Sequence, residues 1–201
     1  MTDPAWTGYP ATFELTADDR VANWRPLVQW FLAIPHLFIG YVLQQIANLV
    51  SLIAWLVILF TGSLPSSLAN YLCLAIRYQM RTYTYVLWLR ESYPPFDFSA
   101  TTDDPGIDVT RIDFRPTYEQ RNRLTVGLRL IWVIPAALVG VVVALGAMFV
   151  AVAGFFAVLF TGRWPEGMRA FLLKVMRFSV RVTAYTYLLT DDYPPLALDE
   201  R

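Results

Sequence analysis

Five cations are the residues of this chain whose type and spacing could do chemistry. Arg77 and Arg81 sit in one apolar segment, and Lys174, Arg177 and Arg181 in another. At helical spacing Asn70, Arg77, Arg81 and Thr84 share a narrow stripe, as do Lys174, Arg177 and Arg181, while the other faces carry Leu, Tyr, Ile, Val and Phe. A charge deep in hydrocarbon costs at least about 2.5–3.5 kcal/mol, so it normally has a partner. No Asp or Glu occurs from Val21 to Arg90, and from Gln120 to Thr190 only Glu166 does. The counter-charge is therefore expected from lipid phosphate, backbone carbonyls, a carboxylate of another protein, or the membrane surface reached by snorkelling. Three readings follow: a pseudo-symmetric site for anionic lipid or another phosphate-bearing ligand, helices merely anchored by their arginines, or a contact with a partner's acid.

Little else in the chain suggests reactivity. His36 is the only histidine, without nearby Cys, Asp or Glu, so no metal site of ordinary ligand number is expected. Cys73 is the only cysteine, which excludes an internal disulfide. There is no nucleophile beside a base, no carboxylate pair in an apolar setting and no glycine-rich phosphate loop after a strand. Asp103-Asp104 and Asp191-Asp192 read as solvated loop charges. The expectation is a protein that is not an enzyme and holds no cofactor or metal. Formal net charge is zero, which gives no pull toward nucleic acid.

The elements that must position these cations are written in the charge pattern. The chain is 56% apolar and 16% charged, against about 25% charged in a soluble domain. No charged residue lies between Arg25 and Arg77, or between Arg129 and Arg163. Such runs predict membrane spans. The segment Pro35 to Phe60 would extend roughly 39 Å as a helix. Thr61-Gly62-x-x-Pro65 then ends one helix and starts the next, and Thr161-Gly162-x-x-Pro165 does the same. The helices that follow, about Ser66 to Arg90 and Glu166 to Thr190, fit either a span or an interfacial helix, and the span is favoured. Lead-in helices are expected over roughly Val21 to Ile34 and Gln120 to Ile134. Short strands are expected at Ala11–Leu15 and Val109–Phe114, pairing with each other or with the Tyr-Pro-Pro tails. The N-terminus has no signal-peptide pattern.

All of this occurs twice. Ile34-Pro35, Phe60-Thr61-Gly62, Arg77, Arg81 and Tyr93-Pro94-Pro95 return one hundred residues later as Ile134-Pro135, Phe160-Thr161-Gly162, Arg177, Arg181 and Tyr193-Pro194-Pro195. The chain divides into a first membrane repeat over 1–100 and a second over 101–201. The expected fold is all-α and integral to the membrane: four transmembrane helices as two parallel hairpins about a pseudo-twofold axis, with small polar caps containing short β-segments. The excess of arginine on the terminal and linker side predicts cytoplasmic termini.

The combined pattern resembles the bacterial membrane family catalogued as domain of unknown function 4389. Ile34-Pro35-His36, Leu59-Phe60-Thr61-Gly62, Arg77, Arg81 and Tyr93-Pro94-Pro95-Phe96 carry the resemblance in the first copy. In the second it rests on Ile134-Pro135, Leu159-Phe160-Thr161-Gly162, Arg163-Trp164-Pro165, Arg177, Arg181 and Asp192-Tyr193-Pro194-Pro195. The second copy lacks the histidine, and the first has Ser63-Leu64 where an arginine and an aromatic are usual. The resemblance implies a bacterial inner-membrane protein without an assigned activity, and supplies no catalytic residues.

The functional expectation is a non-enzymatic accessory or scaffold subunit of a cell-envelope membrane complex. The alternative is an anionic lipid- or ligand-binding or transport protein using Arg77, Arg81, Lys174, Arg177 and Arg181. A small channel is third. The expected partners are membrane lipids and a membrane protein or a second copy of the chain.

Overall fold

The computed structural model describes residues 8–198. A strand β1 (Ala11–Leu15) precedes a short helix α1 (Arg25–Leu32), a long helix α2 (Ile34–Thr61) and its return helix α3 (Ser66–Val86). The second copy has β2 (Thr110–Phe114), a lead-in broken into α4 (Arg123–Gly127) and α5 (Arg129–Trp132), the long α6 (Ile134–Thr161) and its return α7 (Glu166–Thr186). Pro35 stands in the first turn of α2 and Pro135 in that of α6, where a missing backbone N–H costs nothing. Gly62 and Gly162 close those helices with φ of 76° and 65°, a backbone region that disfavours any residue with a Cβ. The return helices end differently: Trp88 (φ 54°) and Leu188 (φ 63°) take that region, and the Leu89 and Leu189 amides reach back to the Thr84 and Ala184 carbonyls.

The strands form an antiparallel ribbon in which Phe13 faces Ile112, Ala11 faces Phe114 and Leu15 faces Thr110. Ala11–Leu15 corresponds to Thr110–Phe114 in the duplication, so the Phe13–Ile112 pair lies on the pseudo-twofold axis. The copies are interlocked about it. β1 packs on α7 and β2 on α3, while α1 packs against α6 and α4 against α2. Val21 N–H donates to the Gly162 carbonyl at 3.0 Å, and Arg121 N–H to that of Gly62 at 3.1 Å. Trp164 N–H bonds the Asp19 carbonyl and Leu64 N–H that of Tyr118. Between these anchors the first copy has Arg20 alone and the second has Glu119 and Gln120; Gln120, at φ 56°, takes up the extra residue.

Two helices, α2 and α6, are long and apolar enough to cross a membrane, and only 17% and 6% of their most apolar stretches are buried within the protein. A narrow stripe of α2 (His36, Gly40, Ala47, Ala54 and Ile58) is buried against the rest of the fold. Phe38, Leu49, Leu56 and Phe60 point outward, as do Leu138, Val142, Phe149 and Phe160 of α6. By contrast α3 is interior, with buried residues on every face.

The hairpins run in opposite directions, not parallel. Trp164, just beyond α6, donates its indole N–H to the Trp88 carbonyl at the end of α3 at 2.8 Å. Tyr187, at the end of α7, donates its hydroxyl to Asn48 Oδ1 on α2 at 2.9 Å. Thus α3 and α7 pack antiparallel, and α2 and α6 also oppose each other. The polar segments then cannot cap one end of a parallel bundle; they converge on the middle of the α3–α7 pair, where the axis passes.

Candidate functional site

The basic stripe of α3 lies under the ribbon and the linker that leads to it. Arg77 donates through Nε and Nη2 to the Ile112 carbonyl, at 3.3 and 3.2 Å, and through Nη1 and Nη2 to the carbonyls of Ser99, Thr101 and Thr102. Its Nε is also 3.3 Å from Asp104 Oδ2. Arg81 bonds Asp97 Oδ2 at 2.7 Å, both oxygens of Asp104 at 3.0 Å, and the Thr110 carbonyl at 3.3 Å. The Asp104 carboxylate is fully buried and accepts two further bonds, from the amides of Gly106 and Ile112. Arg90 is forked onto Asp108.

Backbone carbonyls are among the partners, as expected, but for Arg77 and Arg81 this arrangement corrects the expectation that no carboxylate of their own chain is within reach. The counter-charges lie outside the apolar segments in sequence and are folded back onto α3 by the linker. Asp104 and Asp191, read as solvated loop charges, each turn inward while Asp103 stays largely exposed. Asp191 accepts from Arg121 at 2.7 and 2.8 Å and from Arg129 at 2.6 Å. The Arg129 guanidinium also stands 3.9 Å from the Tyr185 ring centroid, a cation–π distance. Burial pushes the Asp97 and Asp191 carboxyls up, but the Ser99 and Arg81 bonds to one and the Arg121 bond and Arg121 and Arg129 charges on the other prevail, holding both below the usual carboxylate range.

The second copy meets its cations differently. Arg177 donates from Nε to the Phe13 carbonyl at 3.3 Å, the mirror of the Arg77–Ile112 bond across the axis. Arg181 Nη2 donates to the Ala197 carbonyl at 3.0 Å; Ala197 stands where the first copy has Asp97. Lys174 is half-buried one turn before Arg177. Of the five predicted cations, Arg77, Arg81 and Arg177 are therefore brought together beneath the ribbon from both copies, while Arg181 holds the C-terminal tail. The residues that sequence reasoning missed are Asp97, Asp104 and Asp191 together with Arg90, Arg121 and Arg129. Asp97 and Asp191 each stand two residues from a Tyr-Pro-Pro motif, the one sequence feature that could have drawn attention to them.

His36 lies in an aromatic box. Its ring stacks on Phe96 with centroids 4.2 Å apart, meets Tyr93 at 4.8 Å, and places Nδ1 2.8 Å from the Tyr78 hydroxyl. The box adjoins a cavity of about 120 Å³ between α2 and α3, lined by Gly40, Tyr41, Gln44, Gln79, Thr82 and Tyr83 as well. Ala136, Val141, Ala144, Ser179, Val182 and Thr183 stand at the matching places of the second copy. Cys73 is buried beside Arg77, and burial pushes its thiol up to about 12, which leaves it unreactive at neutral pH. Among the described residues no group of three or more His, Cys, Asp or Glu could hold a metal ion. The chemistry available is ionic and structural: charge-assisted bonds that fasten linker and ribbon to the helices.

No curated protein and no solved structure matches the chain. A family profile, described as Domain of unknown function (DUF4389), matches residues 23–97 and again 123–197. The chain belongs to that family, as a tandem of two copies.

Proposed function

We propose that this protein is a non-enzymatic accessory or scaffold subunit of a bacterial cell-envelope membrane complex, held in the inner membrane by α2 and α6. The observation that carries the reading is the outward apolar surface of these two helices, which no other part of the chain covers among the described residues. Burying such surface against lipid tails or a partner's helices is worth about 25 cal/mol per Å². The interior place of α3, its ion pairs and the side chains of α7 packed beside it support a role within the protein for both return helices rather than a crossing of the bilayer. Extraction in mild detergent followed by crosslinking and mass spectrometry tests the proposal. Co-purification of a defined membrane protein is expected. A monodisperse protein with no partner sinks the subunit reading while leaving membrane association intact.

The anionic-ligand reading for Arg77, Arg81, Lys174, Arg177 and Arg181 has narrower support. Arg77 and Arg81 commit their donors to Asp97, Asp104 and five backbone carbonyls. A phosphate there would have to displace carboxylates already in place. Native mass spectrometry from lipid nanodiscs decides it: stoichiometric anionic lipid, lost on replacing all four arginines, would restore that reading.

A further inference from the structure

The ribbon and the apolar helices cannot both be satisfied if α2 and α6 stand across a bilayer. The basic face of α3, with Arg77 and Arg81, lies against the ribbon, whereas the face with Tyr71, Tyr78, Gln79 and Thr82 lies against α2. The ribbon is thus on one side of the α3–α7 layer, level with its middle, and α2 and α6 are toward the other. With α2 and α6 crossing in opposite directions, the ribbon would sit at the centre of the hydrocarbon. Its outer face carries the exposed Glu14 and Arg111, and Asp103 and Arg115 lie beside it. The outer edge of β2 is satisfied by Asp104, Thr102, Arg77 and Arg81, so the misfit lies in the charges. Charges at that depth are costly.

We infer, resting on the membrane reading above, that the protein seats in one leaflet: α2 and α6 lie in the plane of the membrane with their apolar faces in the acyl chains, and the ribbon faces water. The pseudo-twofold axis then runs along the membrane normal, and every pair of equivalent residues sits at one depth. The dimensions agree. A helix is about 10–12 Å across with its side chains, and one leaflet of a hydrocarbon core about 30 Å thick offers roughly 15 Å. The axis relates the exposed Trp30 and Phe31 of α1 to the exposed Leu130 and Ile131 of α5, and Leu32 to Trp132, so the two lead-in helices present apolar side chains at one level and each brings a tryptophan, as an interface favours. Neither α2 nor α6 carries a charged residue that the hydrocarbon would have to accept.

The two dispositions differ in a way that labelling can read. Starting from Cys73→Ser, single cysteines are placed by Ser66→Cys and Glu166→Cys, at the exposed starts of α3 and α7, by Glu14→Cys on the ribbon and by Phe149→Cys on the outward face of α6. Sealed membranes of either orientation are treated with a membrane-impermeant maleimide. A one-leaflet seat places positions 66, 166 and 14 on the same side, each labelled at least tenfold more from that side, and leaves 149 unlabelled until detergent is added. Labelling of 66 and 166 from opposite sides, or failure of either to react from the ribbon's side, overturns the inference. Polarised infrared of the unaltered protein in oriented bilayers is independent of any substitution: helix axes parallel to the plane are expected, and axes near the normal overturn it. Loss of the protein from the membrane fraction altogether would instead count against the membrane reading on which this rests.

Discussion

The Trp164 ring fills the space that a side chain on Gly154 would need: a Cβ added to Gly154 would stand 2.1 Å from Trp164 Cη2 and Cζ3. At the matching place of the first copy Ala54 lies with Leu64 in the buried core. The two copies thus fill one position by opposite choices of large and small.

That relationship gives the first prediction. Gly154→Ala should destabilise the fold by about 1–3 kcal/mol, the usual cost of overpacking, read as a lower thermal midpoint in detergent. Adding Trp164→Leu should recover part of the loss, because the pair then matches Ala54 and Leu64. If the losses from Gly154→Ala and Trp164→Leu simply add in the double variant, the steric account is refuted.

Asp104 is itself buried, and it holds two buried arginines and two backbone amides, those of Ile112 and Gly106. Asp104→Asn should cost about 3–5 kcal/mol, since breaking a buried ion pair leaves its charge uncompensated. Asp103→Asn, at the exposed neighbour, should stay within about 0.5 kcal/mol of the parent. Denaturant midpoints for the two variants check the contrast.

The two glycines that close the long helices should differ in sensitivity. A Cβ on Gly162 would lie 2.7 Å from Asn23 Oδ1, whereas on Gly62 the nearest atoms, from Arg123, are 3.4 Å away. Both substitutions force a side chain into the left-handed region, at about 1–2 kcal/mol. Gly162→Ala should therefore lower the thermal midpoint more than Gly62→Ala, and the reverse order would contradict the packing described.

Acid should loosen the ribbon side of the molecule first. Asp97 and Asp191 titrate below their unfolded values, so the stability they contribute is present above the ordinary carboxylate range. It is lost as pH falls through their depressed folded values. Hydrogen exchange of the linker amides near Ser99 should rise over that acid window before that of α2. Asp97→Asn should flatten the rise near Ser99.

Local structure was legible in the sequence where a residue type has one conformational use. Pro35 and Pro135 could either kink a long helix or open a new one, and the structure puts each in a first turn; Gly62 and Gly162 mark helix ends, as expected. The alternating segments Ala11–Leu15 and Val109–Phe114 became the ribbon, the latter one residue shorter at its start. The relation between copies was not legible. An identical pair of hairpins can be joined parallel or antiparallel, and the choice is made by contacts such as Trp164 to Trp88 and Arg121 to Gly62, which leave no local trace. The ionic site failed for a related reason. Helical periodicity placed Arg77 and Arg81 on one stripe, but Asp97 and Asp104 reach that stripe through a linker whose path is tertiary.

Both strands lie outside the two family segments, 23–97 and 123–197, yet each strand completes the core of the opposite copy. A chain with one such unit could close this core only by borrowing a strand from another molecule, in a second-order step. Joining two units in tandem makes that exchange unimolecular, so assembly no longer depends on protein concentration. It also frees the halves from identity: His36 and its aromatic box persist on one side only, which a symmetric pair of identical chains could not achieve.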